Sequence, residues 1–146
     1  MDKKIIITIP HYNNPVGLIN TISSINDPIK IDIVITDDGS EIKLDEHQVR
    51  SKYNNKGNIH FIYLDKNYGV GIAANKCLEY VKNKSYKYVA RLDAGDISYK
   101  NKFSKQIEFL EKNNQIMLVG TWARVLDNEG NLLFYIKHPT DHNNIK

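Results

Sequence analysis

A chain of 146 residues, 41% hydrophobic and 25% charged, has the composition of an ordinary soluble globular domain with room for a real core. A net charge of +3 is too mild to argue for a nucleic-acid partner. The single cysteine, Cys77, excludes an internal disulfide framework and fits a reducing, cytoplasmic compartment. The opening apolar run, Ile5 to Ile9, is too short for a signal peptide or a membrane span.

Taken in chain order, "KIIITIP" (Lys4–Pro10) is a β-branched run stopped by proline, the pattern of a strand buried on both faces. Val16–Ile25 places Leu18, Ile22 and Ile25 on one helical stripe. A second strand runs from about Ile31 to Thr36 and ends in the polar turn "DDGS". Lys43–Tyr53 reads as a helix with a polar face, and Asn58–Leu64 as a third strand. "NYGV" leads into a helix over Gly71–Lys82, and Lys87–Leu92 forms a fourth strand that reads as buried. Asn101–Asn113 is helical, with Phe103, Ile107 and Leu110 on one face. The last apolar runs flank "DNEG" (Asp127–Gly130), a hairpin turn. Strand and helix alternate four times. This predicts an α/β three-layer sandwich with a mostly parallel central sheet and right-handed crossovers, ending in a β-hairpin.

Ligands of such sheets bind outside the carboxyl ends of the strands. Here those ends carry Pro10, His11, Tyr12, Asn13 and Asn14; then Asp37, Asp38, Gly39 and Ser40; then Asp65, Asn67, Tyr68, Gly69 and Gly71; then Asp93, Ala94, Gly95 and Asp96. Four polar, acidic or glycine-rich ends in a row point to one shared cleft. Each has a plainer reading too. "DDGS" suits a turn with a helix cap, Gly69 suits a positive φ, and His11 reads as a loop residue. His138 and His142 read as solvated, and Lys100, Lys102 and Lys105 as a solvated face. Cys77, beside Leu78 and Val81, reads as packed and inert. Acids at a cleft mouth accept hydrogen bonds from a ribose or base edge, or hold a hard divalent cation that neutralises a diphosphate.

The ordered set "IPHYNN", "IVITDDGS", "NYGVGIAAN" and "YVARLDAGDIS…KFSKQIEFLE" resembles family 2 glycosyltransferases of the GT-A, Rossmann-like fold, of the type that builds bacterial surface polysaccharide. The resemblance covers roughly residues 4 to 125. It implies that Pro10 and Tyr12 line a nucleobase pocket and that Asp38 accepts from the base, typically the imide of uracil in a UDP-linked donor. Asn67, Gly69 and Asn75 would flank the nucleotide, with Arg91 and Asp93 near the ribose and sugar. The acids from Asp93 onward correspond to the family's metal motif, which implies a divalent Mn²⁺ or Mg²⁺. The family's usual metal-binding acid is replaced by Gly95, so metal binding falls to Asp93 or Asp96, or is weak.

The resemblance further implies a saccharide or lipid-linked acceptor, activity at the inner face of the membrane by peripheral association, and an inverting displacement in which a base deprotonates the acceptor hydroxyl. That base, an Asp or Glu, is expected beyond Lys146. Residues 1–146 therefore read as a single nucleotide-sugar-binding domain, an incomplete catalytic domain whose uncovered apolar surface favours a homo-oligomer. Asp93, ending a strand, is expected to matter more for binding than Asp96, a candidate cap for the structure that leads into the next helix. The competing reading is a dinucleotide-binding oxidoreductase using Gly69-x-Gly71-x-x-Ala74. A third is a module that binds nucleotide without catalysis.

Overall fold

The computed structural model describes residues 3–140. Its elements are β1 (Lys3–His11), α1 (Pro15–Ser24), β2 (Asp32–Asp37), α2 (Glu46–Lys52), β3 (Ile59–Tyr63), α3 (Val70–Lys82), β4 (Tyr86–Arg91), α4 (Lys102–Lys112), β5 (Ala123–Leu126) and β6 (Leu132–Ile136). The chain divides into two compact units between Glu108 and Phe109.

In the first unit, β1 to β4 form a fully parallel sheet of order β3-β2-β1-β4. The chain moves outward from β1 through β2 to β3, then returns across the sheet to place β4 on the far side of β1. Right-handed crossovers running in opposite directions put their helices on opposite faces, which produces the three layers. The strand order reverses between β1 and β4, and this is the position where such sheets take ligands.

The β-branched runs are buried on both faces, as the sequence predicts. Ile5, Ile7 and Ile9 join Ile31, Ile33 and Ile35 in the main core, with Leu18, Ile22 and Ile25 of the α1 segment and Phe103 and Ile107 of α4. The alternate residues Ile6 and Val34 pack against Cys77 and Val81 of α3. Each such side chain contributes about 1.5–3 kcal/mol on leaving water. The Cys77 thiol meets the Thr36 hydroxyl at 3.1 Å, and burial pushes its pKa up, in keeping with a packed, unreactive role.

β4 departs from its reading as a buried strand. It is an edge strand with alternating burial, and Val89 is 48% exposed. Tyr86, Tyr88 and Ala90 are half-buried while Lys87, Val89 and Arg91 are exposed, and no further strand among the described residues pairs with β4. The cap of α4 also differs from expectation. Asp27, in the loop after α1, accepts from the amides of Phe103 and Ser104, so Asp96 is not the cap.

The second unit holds the antiparallel hairpin β5–β6. Asp127 makes the turn: its carboxylate accepts from the amides of Glu129 and Asn131 at 2.9 and 2.8 Å, while Gly130 takes a φ of 88°. Those bonds, the Asn131 side chain first, hold the Asp127 carboxyl below its usual range. His138 is exposed, as expected, and His142 lies outside the described residues.

Candidate functional site

The loops after β1 and β2 are knitted together by a buried polar cluster. His11 is the last residue of β1 and is only 2% exposed, so it is a structural centre rather than the loop residue the sequence suggested. Its Nδ1 lies 3.0 Å from Asp37 Oδ2, and its Nε2 accepts the Asn14 amide at 3.2 Å. Accepting at Nε2 requires the proton on Nδ1, so the bond network assigns a neutral imidazole that donates to Asp37. Asp37 Oδ1 accepts the Ser40 amide, and the Ser40 hydroxyl accepts the Asn13 amide. Asn13, at a φ of 47°, turns its side-chain oxygen to the amides of Glu41 and Ile42. A short polar side chain tolerates that left-handed backbone.

Asp38 fastens a third loop. It is 2% exposed, and its two oxygens accept the amides of Tyr68 and Gly69 at 2.9 and 2.8 Å. Gly39 makes this approach feasible. It adopts a φ of 68°, and a Cβ there would sit 2.2 Å from the Lys66 carbonyl carbon. Gly69 is the N-cap of α3 at a φ of 94° and is the residue whose amide Asp38 receives. The helix begins with no side-chain cap and no acid in its first turn.

These loops wall a pocket of about 200 Å³ that brings together Pro10, Tyr12, Asp38, Asn67 and Gly69, with Ala73 of α3 at its back. Five of the nine residues to which the resemblance gives a role thus share one cavity. Tyr12 is 44% exposed there, so its ring is accessible. Asn75 lies on an exposed position of α3 and does not line the pocket. Arg91, Asp93 and Asp96 belong to a separate, open feature at the end of β4. Arg91 Nε donates to Asp93 Oδ1 at 2.9 Å, and both side chains are more than half exposed. Asp96 is exposed, and its amide closes a turn onto the Asp93 carbonyl at 3.0 Å. Lys102 is not part of a solvated face: burial lowers its pKa, while the nearby Asp96 carboxylate raises it.

Among the described residues no three His, Cys, Asp or Glu side chains converge on a metal position. Two carboxylates on one short loop still match the hard-oxygen donor set of Mg²⁺ or Mn²⁺, which takes one or two protein carboxylates and completes its shell with phosphates and water. The dinucleotide reading fails on placement. β3 ends at Tyr63, six residues before Gly69, and Gly71 is already the second residue of α3 rather than part of a tight strand-to-helix turn.

Three polar residues outside the predicted set also serve this region. Asn14 caps α1 through the Gly17 amide and reaches the Ala94 carbonyl, Thr21 accepts the Gly95 amide, and Ser24 accepts the Ser98 amide. An asparagine directly before Pro15 is a legible N-cap signal. Thr21 and Ser24 carry no local signal, since their partners lie over seventy residues away.

The fold has counterparts among solved structures. TarS of S. aureus in complex with UDP superposes with a TM-score of 0.64 at 22% identity, over 76% of this chain and 33% of that one. Its complex with UDP-GlcNAc gives a TM-score of 0.59 at 24% identity, over 76% and 32% of the two chains. An uncharacterized glycosyltransferase of Methanocaldococcus jannaschii is 31% identical over 139 residues, 91% of this chain and 46% of that protein. The putative teichuronic acid biosynthesis glycosyltransferase TuaG of Bacillus subtilis is 34% identical over 104 residues, 69% and 39% of the two. The chain thus spans less than half the length of these relatives. No described helix is long and apolar enough to cross a membrane. The family model of glycosyl transferase family 2 matches residues 6–143, nearly the whole of the described chain, and the chain belongs to that family.

Proposed function

We propose that this chain carries the donor-binding part of an enzyme that transfers a sugar from a UDP-linked donor to a saccharide or lipid-linked acceptor in surface-polysaccharide synthesis. The observation that carries this reading is the pocket walled by Pro10, Tyr12, Asp38, Asn67 and Gly69. It is sized for a planar heterocycle rather than for a whole nucleotide sugar. The accessible Tyr12 ring offers a stacking face. Asp38 has each oxygen bonded to one loop amide, so each retains a lone pair that can accept the imide N–H of uracil. The complexes of TarS with UDP and with UDP-GlcNAc support this class of donor.

From that pocket the ribose and diphosphate extend toward β4, where Arg91 and Asp93 meet them, and Asn75 flanks the nucleotide from α3. A divalent cation held by Asp93 and Asp96 would neutralise the charge that grows on the diphosphate as its bond to the sugar breaks. Gly95 in place of an acid leaves that cation with two protein carboxylates, so more of its shell comes from phosphate and water. No described residue is assigned the role of catalytic base.

Isothermal titration with UDP and, separately, NAD tests the reading. UDP is expected to bind and NAD to give no heat. NAD bound with UDP ignored overturns it.

A further inference from the structure

Helix α1 carries two stripes. Leu18 and Ile22 enter the core. Beside them Asn14, Gly17, Thr21 and Ser24 recur at spacings of three, four and three, which is a second continuous line along a helix. This polar line receives the segment after β4. Asn14 Nδ2 donates to the Ala94 carbonyl at 3.3 Å, the Gly95 amide donates to Thr21 Oγ1 at 2.9 Å, and the Ser98 amide donates to Ser24 Oγ at 2.9 Å. The Thr21 hydroxyl also lies 3.1 Å from the Gly17 carbonyl and 3.4 Å from the Asp93 carbonyl.

The division of labour in this segment is unusual. Its main chain is bonded to α1 at or beside both acids, while the carboxylates of Asp93 and Asp96 stay exposed. A loop of this kind, with Gly95 at a φ of 113°, has no regular structure of its own to fix it. Gly17 fits the same design. A Cβ at position 17 would fall 2.3 Å from the Asn14 side-chain amide, so only glycine lets Asn14 cap the helix and reach Ala94 together. Glycine inside a helix is otherwise unfavourable. Asn14 is in turn bonded through its own amide to His11 at the pocket wall.

We infer that Thr21, with Asn14 held over Gly17, is a positioning residue that sets the Asp93–Asp96 loop at the register needed to bind a metal-bridged diphosphate. This rests on the donor-site reading above. The polar stripe governs the metal-dependent part of donor binding, and the pocket of Tyr12 and Asp38 governs the metal-independent part.

The test compares wild type with Thr21→Val, Thr21→Ser and Gly17→Ala. Each is titrated with UDP in Mn²⁺ and in chelator, and amide hydrogen exchange at Gly95 is read on the ligand-free chain. Thr21→Val is expected to speed Gly95 exchange and to weaken UDP binding in Mn²⁺ about 3- to 10-fold, the loss of the hydrogen bond that holds the Gly95 amide. Binding in chelator should change less than twofold. Thr21→Ser should restore both values, because it returns the hydroxyl. Gly17→Ala should reproduce the Mn²⁺-specific loss without a fall in stability, since alanine's helix propensity offsets the displaced cap.

Equal losses with and without Mn²⁺ overturn the positioning role and leave Thr21 a packing residue. Unchanged Gly95 exchange in Thr21→Val, or a wild type that gains nothing from Mn²⁺, overturns it as well. A wild-type chain that ignores UDP altogether instead overturns the donor-site reading itself.

Discussion

Two acid-bearing loops sit at the same edge of one sheet and are built in opposite ways. After β2, Asp37 and Asp38 are buried, and their oxygens receive His11 and the amides of Ser40, Tyr68 and Gly69. After β4, Asp93 and Asp96 are exposed, and it is the backbone between them that is bonded. In the first loop the side chains organise the main chain. In the second the main chain is held so that the side chains remain available. A buried carboxylate with several donors is preorganised and costly to disturb. An exposed one can exchange water for a cation at low cost. The contrast teaches that the acids of one motif set differ in kind: burial and donor count mark those that hold loops together, and exposure marks those left open to solvent.

The largest expected effect comes from Gly39→Ala, which breaks the first loop. The substitution adds left-handed strain of about 1–2 kcal/mol and overpacks the Lys66 backbone by about 1–3 kcal/mol. A loss near 3 kcal/mol should appear as a lower urea midpoint with unchanged slope. The matching change in the second loop, Gly95→Ala, meets only an Asn14 side-chain atom at 3.5 Å and should cost about 1–2 kcal/mol, mainly strain. Equal losses at the two glycines would erase the distinction between a packed loop and an open one.

Next in size is Asp38→Asn. It keeps the shape but replaces one accepting oxygen with a donor that faces a loop amide. About 2 kcal/mol of stability should be lost in chemical unfolding, with UDP affinity reduced whether or not Mn²⁺ is present. A variant as stable as wild type would show that the loop amides are satisfied by water and that Asp38 is no clamp.

The smallest effect on stability is expected from Asp93→Asn. Its partner Arg91 is exposed, and an exposed pair is worth at most about 1 kcal/mol. The effect moves instead to ligand binding: UDP affinity in Mn²⁺ should fall roughly tenfold to a hundredfold, the value of one charge-assisted bond. Asp96→Asn, titrated in parallel, sharpens the comparison. Should it remove the Mn²⁺ gain while Asp93→Asn does not, Asp96 is the acid that replaces the one missing at Gly95.

Local periodicity was sufficient for the elements and for the identity of the strand ends. The runs Ile5–Ile9 and Ile31–Ile35 have one arrangement that buries every branched side chain, a strand covered on both faces, so β1, β2 and the helix between them were readable directly from residue type. "DNEG" and the N-cap Asn14 before Pro15 are likewise short-range signals, complete within a few residues. Tertiary structure alone decided what those elements do to one another. It placed β4 beside β1 as an edge strand, which turned an apolar run into a half-exposed one. It turned His11 from a loop residue into a buried donor to Asp37, gave the cap of α4 to Asp27, and set Thr21 beneath Gly95. Each of these bonds joins residues 26 to 76 positions apart. A helical or strand period repeats every few residues and carries no information about a partner so distant; only the direction of each crossover and the resulting strand order bring such pairs within reach of a hydrogen bond.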